Sequence, residues 1–254
     1  MIRLKFLGTG TSLGTPNIGC KCNVCRSQDP RDKRLRSSAL LTVDGKNILI
    51  DAGPDLRYQM LRSGVLHIDA VLLTHEHKDH VGGLDDLRPF NYIQNRDIPL
   101  YAEERVCDAI KNELSYAFEE NPYPGVPRLD LHIITDLEFF AEGIHVIPIR
   151  GMHGKLPVLG FRIGDISYLT DMSHIAEIDL QKLAGTKQLV INALRFREHC
   201  SHFHLQAALD IIASIRPSQA YLTHISHEMG LYADSSAILP SNVFFAYDGL
   251  EIVE

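Results

Sequence analysis

The chain has no run of basic residues. Its 25 Lys and Arg are outnumbered by 32 Asp and Glu, for a net charge of −7, and that balance advertises no surface that coats nucleic acid. A long apolar stretch is missing too. No segment approaches the roughly 20 residues of a membrane span, so no membrane partner is expected. The first residues, Met1-Ile2-Arg3-Leu4-Lys5-Phe6-Leu7-Gly8, alternate in character and lack the apolar core and cleavage site of a signal peptide. A soluble, cytoplasmic protein is the expectation. There is no repeat, low-complexity tract or linker. With 254 residues, 45% of them hydrophobic, the chain can bury a large core as one α/β domain or as two closely packed halves.

Histidine, by contrast, is plentiful, at 13 residues, and the densest cluster is Thr74-His75-Glu76-His77-Lys78-Asp79-His80. It follows the apolar run Val71-Leu72-Leu73. A strand ending there turns His75, His77, Asp79 and His80 into one small space. Imidazole and carboxylate together suit borderline divalent metals such as zinc, manganese or iron. Gly82-Gly83 come next and let the backbone fold tightly around the site. A His-rich surface turn is the plain alternative, but four ligand-type residues in H-x-H-x-D-H register directly after a buried-type strand read as a metal site.

That register resembles the metallo-β-lactamase superfamily, and the resemblance extends over nearly the whole chain. It implies a four-layer αββα sandwich, an α/β fold, as one hydrolase domain over residues 1–254. It also implies the remaining ligands: a His, an Asp and a His in the second half. His153 in Arg150-Gly151-Met152-His153-Gly154, Asp171 in Tyr168-Leu169-Thr170-Asp171, and His224 in Tyr221-Leu222-Thr223-His224 stand in the right order. Asp171 and His224 each end a strand-like run, whereas His153 is expected in a Gly-flanked loop. By this resemblance His75, His77 and His153 hold one metal, Asp79, His80 and His224 a second, and Asp171 bridges the two.

Near the N-terminus, Cys20-Lys21-Cys22-Asn23-Val24-Cys25 places three thiols in a loop at residues 19–26. A disulfide leaves one thiol over, and a reducing compartment disfavours it. Three thiolates need a fourth ligand to close a tetrahedral zinc site. His227 is the best candidate, since His224-Ile225-Ser226-His227 can send one His to each centre. This arrangement resembles the PhnP-type phosphodiesterase branch of the superfamily, which implies a structural Cys3His zinc beside the catalytic pair. Cys107 and Cys200 read as structural. Phe6-Leu7-Gly8-Thr9-Gly10-Thr11 with Gly14-Thr15-Pro16, Ile50-Asp51-Ala52-Gly53, and Tyr247-Asp248-Gly249-Leu250-Glu251-Ile252 resemble other segments of that branch. Among them, Asp51 is a candidate to orient a ligand histidine, or simply to accept hydrogen bonds in a turn.

His202, in His199-Cys200-Ser201-His202-Phe203-His204, matches the active-site histidine of the branch by its distance from Leu205. A shift of alignment moves that role to His204; His199 and His204 otherwise read as surface or capping residues. The mechanism implied is phosphodiester hydrolysis by a hydroxide bridging two divalent metals, manganese or zinc with iron also suited. His202, with a pKa near the working pH, then protonates the departing oxygen or holds the phosphate. A small, mostly cyclic phosphodiester is the expected substrate. Lactone or thioester hydrolysis on the same metal core is the alternative, as is an RNase Z-like nuclease. The latter should show an RNA-gripping arm and basic surface, and this acidic chain shows neither. An open-faced site often gains a wall from a second subunit, so a homodimer is an open expectation.

Hydrophobic periodicity predicts strands at residues 3–7, 38–43, 47–51, 70–74, 144–149, 158–163, 166–170, 189–192 and 220–223. Val106, Ala109, Ile110 and Leu114 mark one helix face, and Leu205, Ala208, Leu209 and Ile212 another. Loops at residues 91–99 and 121–127 are expected to select the substrate.

Overall fold

Alternation along the first strands decides the architecture. In β1 (Ile2–Gly8), Leu4 and Phe6 join one buried cluster and Leu7 another. In β2 (Ser38–Val43), Ala39, Leu41 and Val43 face the first cluster and Leu40 the second; in β3 (Lys46–Ile50), Ile48 and Ile50 face the first and Leu49 the second. Successive side chains of a strand point to opposite faces, so this sheet is buried on both sides. Its other members are β4 (Ala70–Leu72), β5 (Ile98–Ala102), β6 (Leu129–Ile133) and a strand from the far end of the chain.

The computed structural model describes residues 1–254. A second sheet holds β7 (Phe139–Ala141), β8 (Ile144–His153), β9 (Leu156–Ile163), β10 (Ile166–Tyr168), β11 (His174–Ile175), β12 (Gln188–Asn192), β13 (Gln219–Thr223) and β14 (Val243–Phe245). The closing strand β15 (Glu251–Val253) returns to the first sheet, whose order is β15-β1-β2-β3-β4-β5-β6. The second runs β11-β8-β9-β10-β12-β13-β14, with β7 also beside β8.

The 23-residue cluster between the sheets takes Leu4, Phe6 and Ile50 from one and Phe161, Tyr168, Val190 and Tyr221 from the other. Outside the first sheet pack α2 (Leu56–Ser63) with Met60, α4 (Arg88–Gln94) with Phe90, and α5 (Glu104–Glu113) with Val106 and Ile110; short α1 (Asn23–Arg26) and α3 (Lys78–Val81) lie in loops. Outside the second sheet, α7 (Leu205–Ile215) contributes Leu205, Ala208 and Ile212; α6 (Glu177–Gln181) and α8 (Tyr232–Ser236) are short. The layers are therefore helix, sheet, sheet, helix. This is the metallo-β-lactamase fold, as expected.

Parallel pairing joins β3, β4, β5 and β6 in one sheet and β10, β12, β13 and β14 in the other. Parallel strands discharge their carboxyl ends to one edge, where open α/β sheets bind ligands. Two strands stop sooner than their apolar runs, β4 at Leu72 and β10 at Tyr168. After β4 the Thr74 amide donates to Asp51 Oδ1 instead of a ladder carbonyl. β8 runs on past Ile149 to His153, because it forms a long hairpin with β9 in which His153 faces Leu156. His153 is thus a strand end and not the loop residue expected. Residues 91–99 are not a simple loop: α4 ends at Gln94 and β5 starts at Ile98. No helix is long and apolar enough to cross a membrane.

Candidate metal centre

The chain crosses from β4 into α3 through Leu73–His77, and close glycines hold the crossing down. A Cβ on Gly83 would lie 2.0 Å from the Gly53 carbonyl, and one on Gly53 would lie 2.1 Å from that of Asp79. Neither contact is sterically tolerable, so both positions need glycine. Around this crossing, His75 Nε2 faces His77 Nδ1 at 3.0 Å, and the His153 ring lies 5.0 Å from that of His77 and 5.8 Å from that of His75. On the other side, His80 Nε2 approaches Asp79 Oδ2 at 3.3 Å and Asp171 Oδ2 at 3.4 Å. His224 Nδ1 lies 2.8 Å from Asp171 Oδ1. Ligand atoms of Asp79, His80, Asp171 and His224 all fall within 4.8 Å of one another. Asp171 also reaches toward His75, 3.9 Å from Oδ2 to Nε2, so one carboxylate stands between the two groups. The structure brings all seven residues together.

Neighbouring side chains set the rings. His80 Nδ1 pairs with Asp51 Oδ2 at 2.7 Å, and Asp51 also accepts from the Thr74 amide and hydroxyl. Asp51 therefore orients a candidate ligand. His153 Nδ1 lies 2.8 Å from the Ser201 carbonyl; only a protonated Nδ1 can bond there, which leaves Nε2 free to ligate. Thr74 Oγ1 stands 2.9 Å from His75 Nδ1, and Ser37 Oγ 3.1 Å from His224 Nδ1. Thr74 adjoins the motif and was readable as a partner; Ser37, 187 positions from His224, gave no signal. Asp51, Asp171 and His224 have left-handed backbone, with φ of 59°, 58° and 52°. Residues with a Cβ rarely adopt it.

The donor set fits divalent metals. His80 Nε2 is buried without a hydrogen-bond partner, although it faces two carboxylates. Burial holds His75 well below the usual histidine range and lowers His77, favouring the neutral imidazole that ligates metal. Burial opposes charge on Asp171, but His224 and His80 overcome it and keep the carboxyl well below its normal range. For His80 burial is likewise outweighed, by Asp171 and Asp51, which draw a proton onto the ring. A divalent cation satisfies the same carboxylates.

His202 adjoins this group, its ring 4.5 Å from that of His153 and 4.9 Å from that of His224. His204 is instead the N-cap of α7. The stretch thus places His202, and not His204, at the centre. Burial, and then His224, pushes its pKa down to about 3, against the expected value near the working pH: the resting ring is neutral. His199 lies farther out, 5.2 Å from His202.

The sulfurs of Cys20, Cys22 and Cys25 and a ring nitrogen of His227 also lie within 4.8 Å of one another. Cys20 Sγ and Cys22 Sγ are 3.5 and 3.3 Å from His227 Nδ1, close to the about 3.5–3.8 Å edge of a tetrahedral zinc site. His227 lowers the Cys22 thiol to about 6, while burial pushes that of Cys25 up to about 11. All five cysteines are free; Cys107 is buried, but Cys200 is exposed and has no structural role in a core.

A β-lactamase superfamily domain matches residues 46–225. The chain belongs to the β-lactamase superfamily. Within it, the chain is 47% identical over 255 residues to an octanoyltransferase of Porphyromonas gingivalis, covering 99% of this chain and 51% of that protein. A coenzyme PQQ synthesis protein B of Methylobacterium nodulans is 34% identical over 127 residues, 43% of this chain and 42% of its own length. The chain thus spans about half the length of the former, and its match to the latter less than half. Among solved structures, a diphosphatase of the PhnP family superposes with a TM-score of 0.93 at 37% identity, covering 99% and 96% of the two chains. Human tRNase Z, short form, superposes at 0.73 with 21% identity over 99% and 98%, a likeness of fold.

Proposed function

We propose that this superfamily member hydrolyses small phosphodiesters, cyclic sugar or nucleotide phosphates above all, at a pair of divalent metals. The observation that supports phosphoryl chemistry is the likeness to a PhnP-family diphosphatase along almost the full length of both chains; a diphosphatase cleaves a phosphoanhydride, and the choice of a diester rests on the PhnP-type cysteine loop and on His202 beside the metal centre. His75, His77 and His153 would hold one ion, Asp79, His80 and His224 the other, and Asp171 would touch both. Manganese and zinc suit these donors, as does iron. Bound there, the ions supply Lewis acidity and bring the pKa of water toward neutrality. Cys20, Cys22, Cys25 and His227 would hold a structural zinc.

The chain's own groups do the rest. Asp51 and the Ser201 carbonyl fix the His80 and His153 rings, so the donors are in place before substrate arrives. His202 stands beside both ligand groups. It is neutral at rest, and the negative charge of a bound diester raises its proton affinity. In that state the ring holds a phosphoryl oxygen or gives its proton to the departing oxygen.

Acyl chemistry, thioester or lactone cleavage, is a second reading, favoured by one observation: the relative at 47% identity is called an octanoyltransferase. Turnover of a cyclic diester, an aryl diester, a monoester, a lactone, an octanoyl thioester and pre-tRNA, with manganese and zinc added separately, tests both. Faster turnover of the lactone, the thioester or pre-tRNA than of every diester overturns the first.

A further inference from the structure

Glu76 separates His75 from His77, yet its carboxylate belongs to neither cluster of ligand atoms. It accepts from Arg105 Nη1 instead. The same guanidinium reaches two more acceptors through Nη2, Glu103 Oε2 at 3.2 Å and the Pro157 carbonyl. Glu103 then pairs through its other oxygen with Arg150 Nη2 at 2.7 Å. Partly buried charges of alternating sign thus run from Glu76 through Arg105 and Glu103 to Arg150.

Both ends of this bridge sit on elements that carry histidines of the first group. Glu76 lies in the crossing after β4, with His75 and His77 on either side. Arg150 and Pro157 lie in the β8–β9 hairpin, where Pro157 faces Met152 and Leu156 faces His153. A backbone bond, from the Leu159 amide to the Thr74 carbonyl at 3.1 Å, joins crossing and hairpin just before the histidines; Arg105 joins them again just beyond His75. Nothing in α5 itself asks for this arginine. It occupies the first turn of the helix, where the helix dipole favours anions. Its Nε is buried with no hydrogen-bond partner, a state that buried polar groups mostly avoid. The side chain is placed for what it bridges, and its planar fork suits several acceptors at once, as a lysine ammonium would not.

We infer that Arg105 is a positioning residue for the His75, His77 and His153 group. Forked across Glu76, Glu103 and the Pro157 carbonyl, it holds the first motif against the β8–β9 hairpin, so that one metal ion finds its three imidazoles in place. The other group, in which Asp51 aims His80, lies outside the bridge. The inference rests on the two-metal reading above and adds that the two ions depend on different supports.

Manganese titration of the metal-stripped protein tests it, because thiolates prefer softer ions and leave manganese to the His and Asp donors. The parent should take up two ions. In Arg105→Gln one of them should bind about tenfold more weakly, the lower end of what a ligand's lost support costs, and the other should be unchanged. Glu76→Gln breaks the same bond from its other end and should weaken the same ion. The double variant should lose no more than Arg105→Gln, as expected of two groups acting through one contact. In a His77→Ala background, already short of a donor in that group, the remaining tight ion should be indifferent to Arg105→Gln. A merely structural salt bridge would instead lower the melting temperature and weaken both ions together. Unchanged affinity for both ions, equal weakening of both, additive losses in the double variant, or a further loss from the tight ion in His77→Ala overturns the inference. Glu76→Gln decides alone if Arg105→Gln does not fold. A parent that binds one manganese sinks the two-metal reading; the positioning role then stands if Arg105→Gln weakens that ion in the same measure, and falls if it does not.

Discussion

His80 and Asp51 form a wholly buried pair, Nδ1 to Oδ2 2.7 Å, from positions 29 apart in the chain. Burial alone drives the Asp51 carboxyl upward, and His80 and Thr74 oppose that drift. The pair joins the end of β3 to α3 and aims His80 Nε2 at Asp79 and Asp171. Asp51→Ala should therefore weaken metal binding about 10- to 100-fold, read by titration of the apoprotein with manganese or zinc. Undiminished affinity would show that β4 and α3 aim the ring unaided.

Asp171 faces both ligand groups, so its loss should be felt by both. Asp171→Ala should abolish turnover and leave less than the full complement of catalytic metal on dialysis, by inductively coupled plasma mass spectrometry. A fully loaded pair in this variant would remove Asp171 from its bridging place.

For the cysteine cluster, the expected defect is in stability rather than chemistry. Metal binding to thiolates is coupled to folding, and the loop contacts the rest of the protein through His227 and the Cys25 sulfur bonded to the Asn17 amide. Cys22→Ser should lose zinc and melt at lower temperature, while the folded fraction keeps its per-site rate. A Cys20–Cys25 disulfide in protein kept reduced, with no zinc found, rejects the site.

His202→Ala should slow diesters with poor leaving groups by about 10²–10⁴-fold, the usual worth of a positioned acid, and activated aryl diesters far less. The comparison of the two rates is the readout. An equal loss on both would make His202 a phosphate-holding residue with no part in protonation.

His75, His77, Asp79 and His80 were legible as candidate ligands because they are local in sequence and chemically distinctive. The approach of His153, Asp171 and His224 to them is built by two sheets, and only the family resemblance, not spacing or periodicity, implied it. Periodicity found the long apolar strands and missed β5, β6, β7, β11, β14 and β15. Pro99 interrupts the β5 pattern, and β11 has two residues, too few to show a period. Edge position hides others, as in β6, where no residue is fully buried. The strand ends β4 and β10 were overread by two residues, because Thr74 and Thr170 are apolar-run neighbours whose hydrogen bonds go to Asp51 and Asp171. The neutral state of His202 was hidden as well: it arises from burial beside His224, a through-space effect.

The left-handed backbone at Asp51, Asp171 and His224 has a thermodynamic corollary for the metal-free chain. Glycine accepts that geometry without the Cβ clash that alanine suffers, a difference of about 1 kcal/mol. Both substitutions at Asp171 delete the same carboxylate, and their apoproteins should still differ, the glycine form unfolding at the higher denaturant concentration. The polypeptide therefore holds its reactive side chains at junctions where a side chain is itself a conformational burden, and a drift toward glycine there would trade chemistry for robustness.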